Sequence, residues 1–344
     1  MGLLFTKTVD AFSADPALKI VNRRLPLADF KFLERVDLTF RSAEDSYKAE
    51  YPYLHDFKAF KQLLPVPAFL LRPLKKYRLP YERAESDTII FGGLRTVIYI
   101  HGSGSISEDN SILQRLLLQN NCDLIRVAYH IDYEKESISY PKKAAEMLPF
   151  LTETEAKIAP ALNDELKCVL ARLKDEFADL FLNKEVILIG HSLGGGLAAN
   201  LIASYDSINF NKLINLDGTL MNPAIQSGLN IRQLHLSQDH LFKKEWIDEE
   251  NFTDSIKAIG QDYCKKIDKL ISNSTNKRKW IQIKDSSHFT FTDFPDLLRP
   301  YKMFRGFVGD RESAARIRKY VMNFILDPDE LRIDSKDCII NDRW

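Results

Sequence analysis

This 344-residue sequence predicts an α/β fold: a mostly parallel central sheet with helices on both faces and an N-terminal elaboration. Three observations carry that expectation. After residue 95, short Ile/Val/Leu runs alternate with amphipathic stretches of helical length. The runs are rich in Ile, Val and Leu, as strands buried on both faces should be. One of them, Glu185–Ile189, ends in Gly190-His-Ser-Leu-Gly194 and passes at once into the small-residue start Gly195-Gly-Leu-Ala-Ala199. That is strand, sharp turn and helix around G-x-S-x-G, the context in which a serine Oγ is raised above a sheet.

The predicted strands are Thr96–Ile100, Leu124–Tyr129, Glu185–Ile189, Lys212–Leu216, Ile231–Leu236 and Lys279–Lys284, with an earlier one at Val36–Phe40. The longest helical stripe places Leu162, Leu166, Val169, Leu170, Leu173, Phe177, Leu180 and Phe181 at i, i+3/i+4 spacing. Ser192–Tyr205, Thr253–Ile271 and Glu312–Leu326 also read as helices. Pro65, Pro67, Pro73 and Pro80 break the first part of the chain. The division expected is an elaboration over 1–95 belonging to the same domain, a catalytic core over 96–330 and a tail over 331–344.

Lys+Arg and Asp+Glu both number 48, so net charge offers no general attraction for nucleic acid. The four cysteines (Cys122, Cys168, Cys264, Cys338) have no zinc-type spacing. Cys122 and Cys168 fall in elements expected to be buried, which favours a reducing compartment and hence the cytoplasm. No run of 18 apolar residues is available to span a bilayer, and no secretory signal is read. Met1-Gly2-Leu-Leu-Phe-Thr6 fits an N-myristoylation pattern, although bulky Leu3 and Phe5 read equally as an ordinary apolar start. Residues 61–78 join an apolar run to a basic rim, suiting a lid, a core segment or peripheral contact with a membrane.

A serine nucleophile needs a base, and the base needs an acid to hold its tautomer. Of seven histidines only His288 follows the last predicted strand; His55, His101, His130, His191, His235 and His240 precede it. Asp217 and Asp239 each follow a strand and are both candidates for the acid. Asp285 is a weaker third, being only three residues from His288. The oxyanion calls for two backbone N–H donors. Leu193 follows the nucleophile, and Ser103 lies in the loop His101-Gly102-Ser103-Gly104 after a strand. His101 reads as a structural hydrogen-bonding group rather than a second base.

Five segments resemble one branch of the alpha/beta-hydrolase fold, the platelet-activating factor acetylhydrolases (group VII/VIII phospholipases A2). They are Ile98-Tyr-Ile-His-Gly102-Ser-Gly, Val127-Ala-Tyr-His-Ile-Asp132, Gly190-His-Ser-Leu-Gly-Gly195, Leu216-Asp-Gly-Thr-Leu-Met-Asn-Pro223 and Ser286-Ser-His-Phe-Thr-Phe-Thr-Asp-Phe294. The resemblance implies Ser192 as nucleophile, Asp217 rather than Asp239 as acid, His288 as base, and Leu193 and Ser103 as oxyanion donors. It implies a substrate pocket near His101, Gly102, His191, Thr219 and Phe289. Thr219 stands where the family usually has tryptophan, and Ser103 where a larger apolar residue is usual. The reaction implied is calcium-independent hydrolysis of a short or oxidised sn-2 acyl ester in a phospholipid, with no metal and no cofactor. Asp327-Pro-Asp329-Glu330 lacks the glycine and spacing of a calcium loop. The alternatives are a lipase or carboxylesterase acting on neutral esters, and a non-catalytic lipid-binding member of the fold.

Overall fold

The computed structural model describes residues 19–41, 82–84, 92–141, 144–238, 253–297, 308–327, 329, 331, 333 and 338–341. Residues 61–78, Asp239, His240 and the N-terminal Gly2 pattern lie outside the described residues.

In chain order the elements are β1 (Lys19–Pro26), β2 (Leu33–Arg41), β3 (Glu82–Ala84), β4 (Arg95–Ile100), α1 (Ser111–Gln119), β5 (Cys122–Tyr129), α2 (Met147–Lys157) and α3 (Ala159–Glu176). There follow β6 (Glu185–His191), α4 (Leu193–Ser204), β7 (Phe210–Leu216), α5 (Ala224–Ser227) and β8 (Arg232–Gln238). The last are α6 (Thr253–Asn273), β9 (Arg278–Ile283), α7 (Phe294–Leu297), α8 (Arg311–Leu326) and β10 (Cys338–Asn341).

They form one ten-stranded sheet in the order β10-β9-β8-β7-β6-β4-β5-β2-β1-β3. The six central strands are mutually parallel. β2 joins β5 antiparallel, β1 joins β2 antiparallel, and β10 joins β9 antiparallel. The central strands alternate between two apolar layers. Val97 and Tyr99 of β4 face Leu113 and Leu117 of α1 and the α8 layer of Ile317, Val321 and Ile325. Ile98 and Ile100 face α3, α4 and α6 through residues such as Leu166, Leu197 and Ile267. This two-sided burial is why the strand runs are rich in Ile, Val and Leu.

The strand order reverses at β4: the chain steps outward to β5, then crosses back to β6 on the other side. In open α/β sheets such a reversal opens a crevice beyond the carboxyl ends of the strands. Close packing there depends on glycine. A Cβ at Gly194, in the first turn of α4, would lie 2.2 Å from the Ile100 carbonyl oxygen, and one at Gly190 would lie 2.2 Å from that of Gly194. Gly194→Ala is expected to cost roughly 3 kcal/mol through overpacking. Denaturant midpoints would show it, with Gly92→Ala unchanged as the control, since a Cβ there meets nothing within 4 Å.

Several expectations are refined. The early strand is longer than Val36–Phe40, the last central strand ends at Ile283, and described residues of the tail form β10. The long helix stops at Glu176, with Ala178–Leu180 a 3-10 turn, so Phe177, Leu180 and Phe181 pack from outside it. Cys168 is a correction: it is exposed, because it sits beside the apolar stripe of α3 rather than on it, whereas Cys122 is buried. All four cysteines are free. Among the described residues no helix is long and apolar enough to cross a membrane.

Candidate active site

Four strand ends converge on the crevice. Ser192 stands between β6 and α4 with φ 55° and ψ −125°, a left-handed conformation that a non-glycine residue adopts only under constraint. The constraint is visible: its N–H donates to the Leu216 carbonyl at 3.1 Å, and its own carbonyl accepts from Gly195 and Thr219. A Cβ at Gly102 would approach Ser192 Cβ to 2.9 Å, so the His101-Gly102 loop lies directly against the elbow.

Asp217 follows β7, again with positive φ (49°). Asn215 shapes its turn: the Asn215 side-chain oxygen accepts from Gly218 N–H at 2.8 Å. The buried Asp217 carboxylate accepts three bonds. Gln238 donates from its backbone N–H (2.9 Å) and its side-chain Nε2 (2.7 Å), and His288 Nδ1 lies 2.6 Å from Oδ2. A carboxylate only accepts, so Nδ1 carries the proton and Nε2 keeps its lone pair for the crevice. The His288 side chain is 35% exposed against 5% for Asp217, so the imidazole reaches solvent while its partner does not. Among the described residues no hydrogen bond joins Ser192 Oγ to His288 Nε2; such contacts commonly tighten only with substrate in place.

The serines beside His288 shape its loop. Ser286 Oγ donates to the Ile283 carbonyl at 2.6 Å, and Ser287 and Thr290 cap each other around the turn that presents the imidazole. Asp293 and Phe294, distinctive in the sequence, are structural as well. Phe294 is core, and the Asp293 carboxylate caps α1 by accepting from Ser111 Oγ and Ile112 N–H. Burial, opposed by Arg318, pushes the Asp293 carboxyl up to about 7. Its ordinary unfolded value is about 4, so the folded state binds the extra proton between those values and loses stability as pH rises through that window. The thermal-midpoint advantage of wild type over Asp293→Asn is therefore expected to shrink from pH 4 to pH 7, as paired melting curves would show.

His101 is buried and stacked on Tyr129, with ring centroids 4.2 Å apart. Its Nε2 accepts from Tyr129 N–H at 3.2 Å and its Nδ1 lies 2.7 Å from the Gly102 carbonyl. Those partners specify the neutral Nδ1–H tautomer. Burial, the largest influence, holds its pKa below the ordinary imidazole value. His101 thus pins the loop that carries Ser103. Ser103 is half-buried, and its hydroxyl is hydrogen-bonded to that of Tyr133. Leu193 opens α4, where N–H groups have no intrahelical acceptor. Among the described residues neither the Ser103 nor the Leu193 N–H has a protein acceptor.

Of the remaining expected pocket residues, Thr219 donates its N–H to Ser192, Phe289 meets the His288 ring edge-on at 5.8 Å, and His191 stacks on it at 4.8 Å. His130 is exposed at the end of β5, and His235 is buried, its pKa lowered by that burial to about 4. Asp285 belongs to the His288 loop with φ 57°, but the carboxylate on His288 is that of Asp217. Sequence reasoning missed Gln238 and Asn215. Their only signal was position, each at or next to the end of a strand. Among the described residues no group of three or more His, Cys, Asp or Glu side chains could hold a metal ion.

A family model described as platelet-activating factor acetylhydrolase, isoform II, matches residues 143–326. Among solved structures, a ferulic acid esterase from Streptomyces cinnamoneus is similar with a TM-score of 0.66 at 16% identity, over 96% of this chain and 98% of that one. A dienelactone hydrolase from Anabaena variabilis aligns over 88% of this chain and 98% of that one, with 13% identity and a TM-score of 0.45. No curated protein matches the chain. The fold is that of the alpha/beta hydrolases.

Proposed function

This chain belongs to the platelet-activating factor acetylhydrolase isoform II family, and on that premise we propose that it is a serine esterase cleaving short or oxidised sn-2 acyl esters of phospholipids. The observation that carries the catalytic reading is the 2.6 Å bond between His288 Nδ1 and the buried Asp217, whose strand lies next to the one that ends in the left-handed elbow of Ser192.

In this reading Ser192 Oγ attacks the sn-2 carbonyl carbon while His288 Nε2 takes its proton. Asp217 stabilises the imidazolium that forms. The oxyanion is met by the N–H groups of Leu193 and Ser103, each contributing about 10²–10³ in rate. Collapse returns the proton to the departing lysophospholipid oxygen and leaves an acyl-serine. Water, deprotonated by the same nitrogen, then releases the carboxylic acid. Every proton in this scheme moves between groups of the chain, substrate and water, so activity is expected to survive a chelator.

A second reading, a carboxylesterase acting on aryl esters, is favoured by one feature. Tyr133, Tyr140 and Phe150 form an aromatic group with centroids 5.0–6.0 Å apart, bonded to the oxyanion loop through Ser103. Such faces suit a planar acid as well as an alkyl chain. The deciding assay offers sn-2 acetyl and sn-2 palmitoyl phospholipids and a feruloyl ester side by side, with EDTA present. Selective acetyl release supports the phospholipid reading. Turnover of the feruloyl ester alone replaces it with the second.

A further inference from the structure

A second carboxylate–imidazole pair lies behind the first. His191, immediately before the nucleophile, stacks on His288 with centroids 4.8 Å apart and planes 30° from parallel. Its Nε2 is 3.3 Å from the backbone carbonyl oxygen of His288, so that nitrogen carries a proton. Its Nδ1 faces Asp109 Oδ2 at 3.6 Å, just beyond hydrogen-bond length. Both side chains are out of solvent, at 4% and 0% exposure.

The Asp109 carboxylate also accepts from Tyr99 Oη at 2.5 Å and from Ser105 Oγ at 2.6 Å. Burial alone would raise its pKa. The His191 and His101 rings and the Ser105 hydrogen bond outweigh burial and bring it below the ordinary carboxylate range. An ionised Asp109 only accepts, and so does the His288 carbonyl. Both nitrogens of His191 therefore face acceptor oxygens, one on the His288 loop and one on Asp109.

We propose that Asp109 and His191 are positioning residues: the carboxylate fixes the His191 ring, which holds the backbone and ring of His288 in register over Ser192. The role rests on the esterase reading of Ser192 and His288. It accounts for a buried carboxylate beside an imidazole whose burial would otherwise have no return. It also joins the oxyanion loop, the elbow and the His288 loop, which come from three separate strand ends. A small misplacement of a reacting group costs on the order of a hundredfold in rate.

The test compares wild type, Asp109→Asn, His191→Gln and Tyr99→Phe. The last removes a bond to Asp109 while leaving its contact with His191 in place. Folded fractions are normalised by circular dichroism, and Ser192 reactivity is read as the rate of fluorophosphonate labelling and as kcat and KM on a simple aryl ester. Expected are labelling rates and kcat about 10- to 100-fold lower in the first two variants, KM within about twofold, and a wild-type rate for Tyr99→Phe. Wild-type labelling rates in folded Asp109→Asn and His191→Gln would overturn the pairing. A wild type inert to probe and ester would instead overturn the esterase reading, and the positioning role with it.

Discussion

Ser192→Ala is expected to lower kcat for ester hydrolysis by about 10⁴–10⁶-fold and to abolish fluorophosphonate labelling. Stability should hardly change. Alanine meets the same backbone constraint at φ 55° as serine does, and the ties that hold position 192 are made by its own N–H and carbonyl. Only the nucleophilic oxygen is removed, so the melting curve of the variant should overlay that of wild type. Labelling that persists in Ser192→Ala would move the nucleophile elsewhere. Loss of both labelling and cooperative melting would show that the serine was needed for the turn.

Asp217→Asn is expected to cost about 10³–10⁴ in kcat. The present carboxylate accepts from Gln238 N–H, Gln238 Nε2 and His288 Nδ1. An asparagine has one acceptor oxygen for three donors. If that oxygen stays with Gln238, its NH₂ turns toward His288 and favours the tautomer with the proton on Nε2. That tautomer cannot accept from serine. Asp239→Asn should stay within about twofold of wild type, since the carboxylate on His288 Nδ1 is that of Asp217. If Asp239→Asn is the inactive variant and Asp217→Asn is not, the acid has been assigned to the wrong strand. The two variants share no outcome, so one pair of progress curves decides between them.

Much of this was legible because the central strands are buried on both faces and the motif residues sit at their ends. Glu185–Ile189 and Lys212–Leu216 could be read directly, since two-sided burial favours runs rich in Ile, Val and Leu. The edge strands could not. Lys19–Pro26 contains Asn22, Arg23 and Arg24 and is held by its backbone ladder to β2, so its side chains carry little pattern. Cys338–Asn341 is four residues long, too short for any period. Exposure of Cys168 was readable in principle, because Leu166, Val169, Leu170 and Leu173 already fixed the phase of the helix.

At the site, the order Ser192, Asp217, His288 follows the order of the strands, but the choice of acid did not follow from local sequence. Asp217 and Asp239 both trail strands, and what sets Asp217 apart is a pair of bonds from Gln238, 21 residues away. The meeting of Asp109 with His191 spans 82 positions and leaves no local trace, since each residue alone looks like an ordinary loop or elbow polar group. Asp293 was singled out for its motif and turned out to cap a helix that begins 182 residues earlier.

The sheet ladder does not stop where the chemistry begins. Ser192 N–H donates to Leu216, Asp217 N–H donates to Leu236 at 2.7 Å, and Gln238 N–H closes onto the Asp217 carboxylate. Deuterium should therefore reach these three amides only when the central sheet itself opens, which places them among the slowest-exchanging positions of the molecule. Most hydrolytic machinery mounted on loops can loosen while the scaffold survives. Here Ser192 and Asp217 share the lifetime of the core, so mild heating or denaturant should leave their backbone geometry intact until global unfolding removes it in a single step.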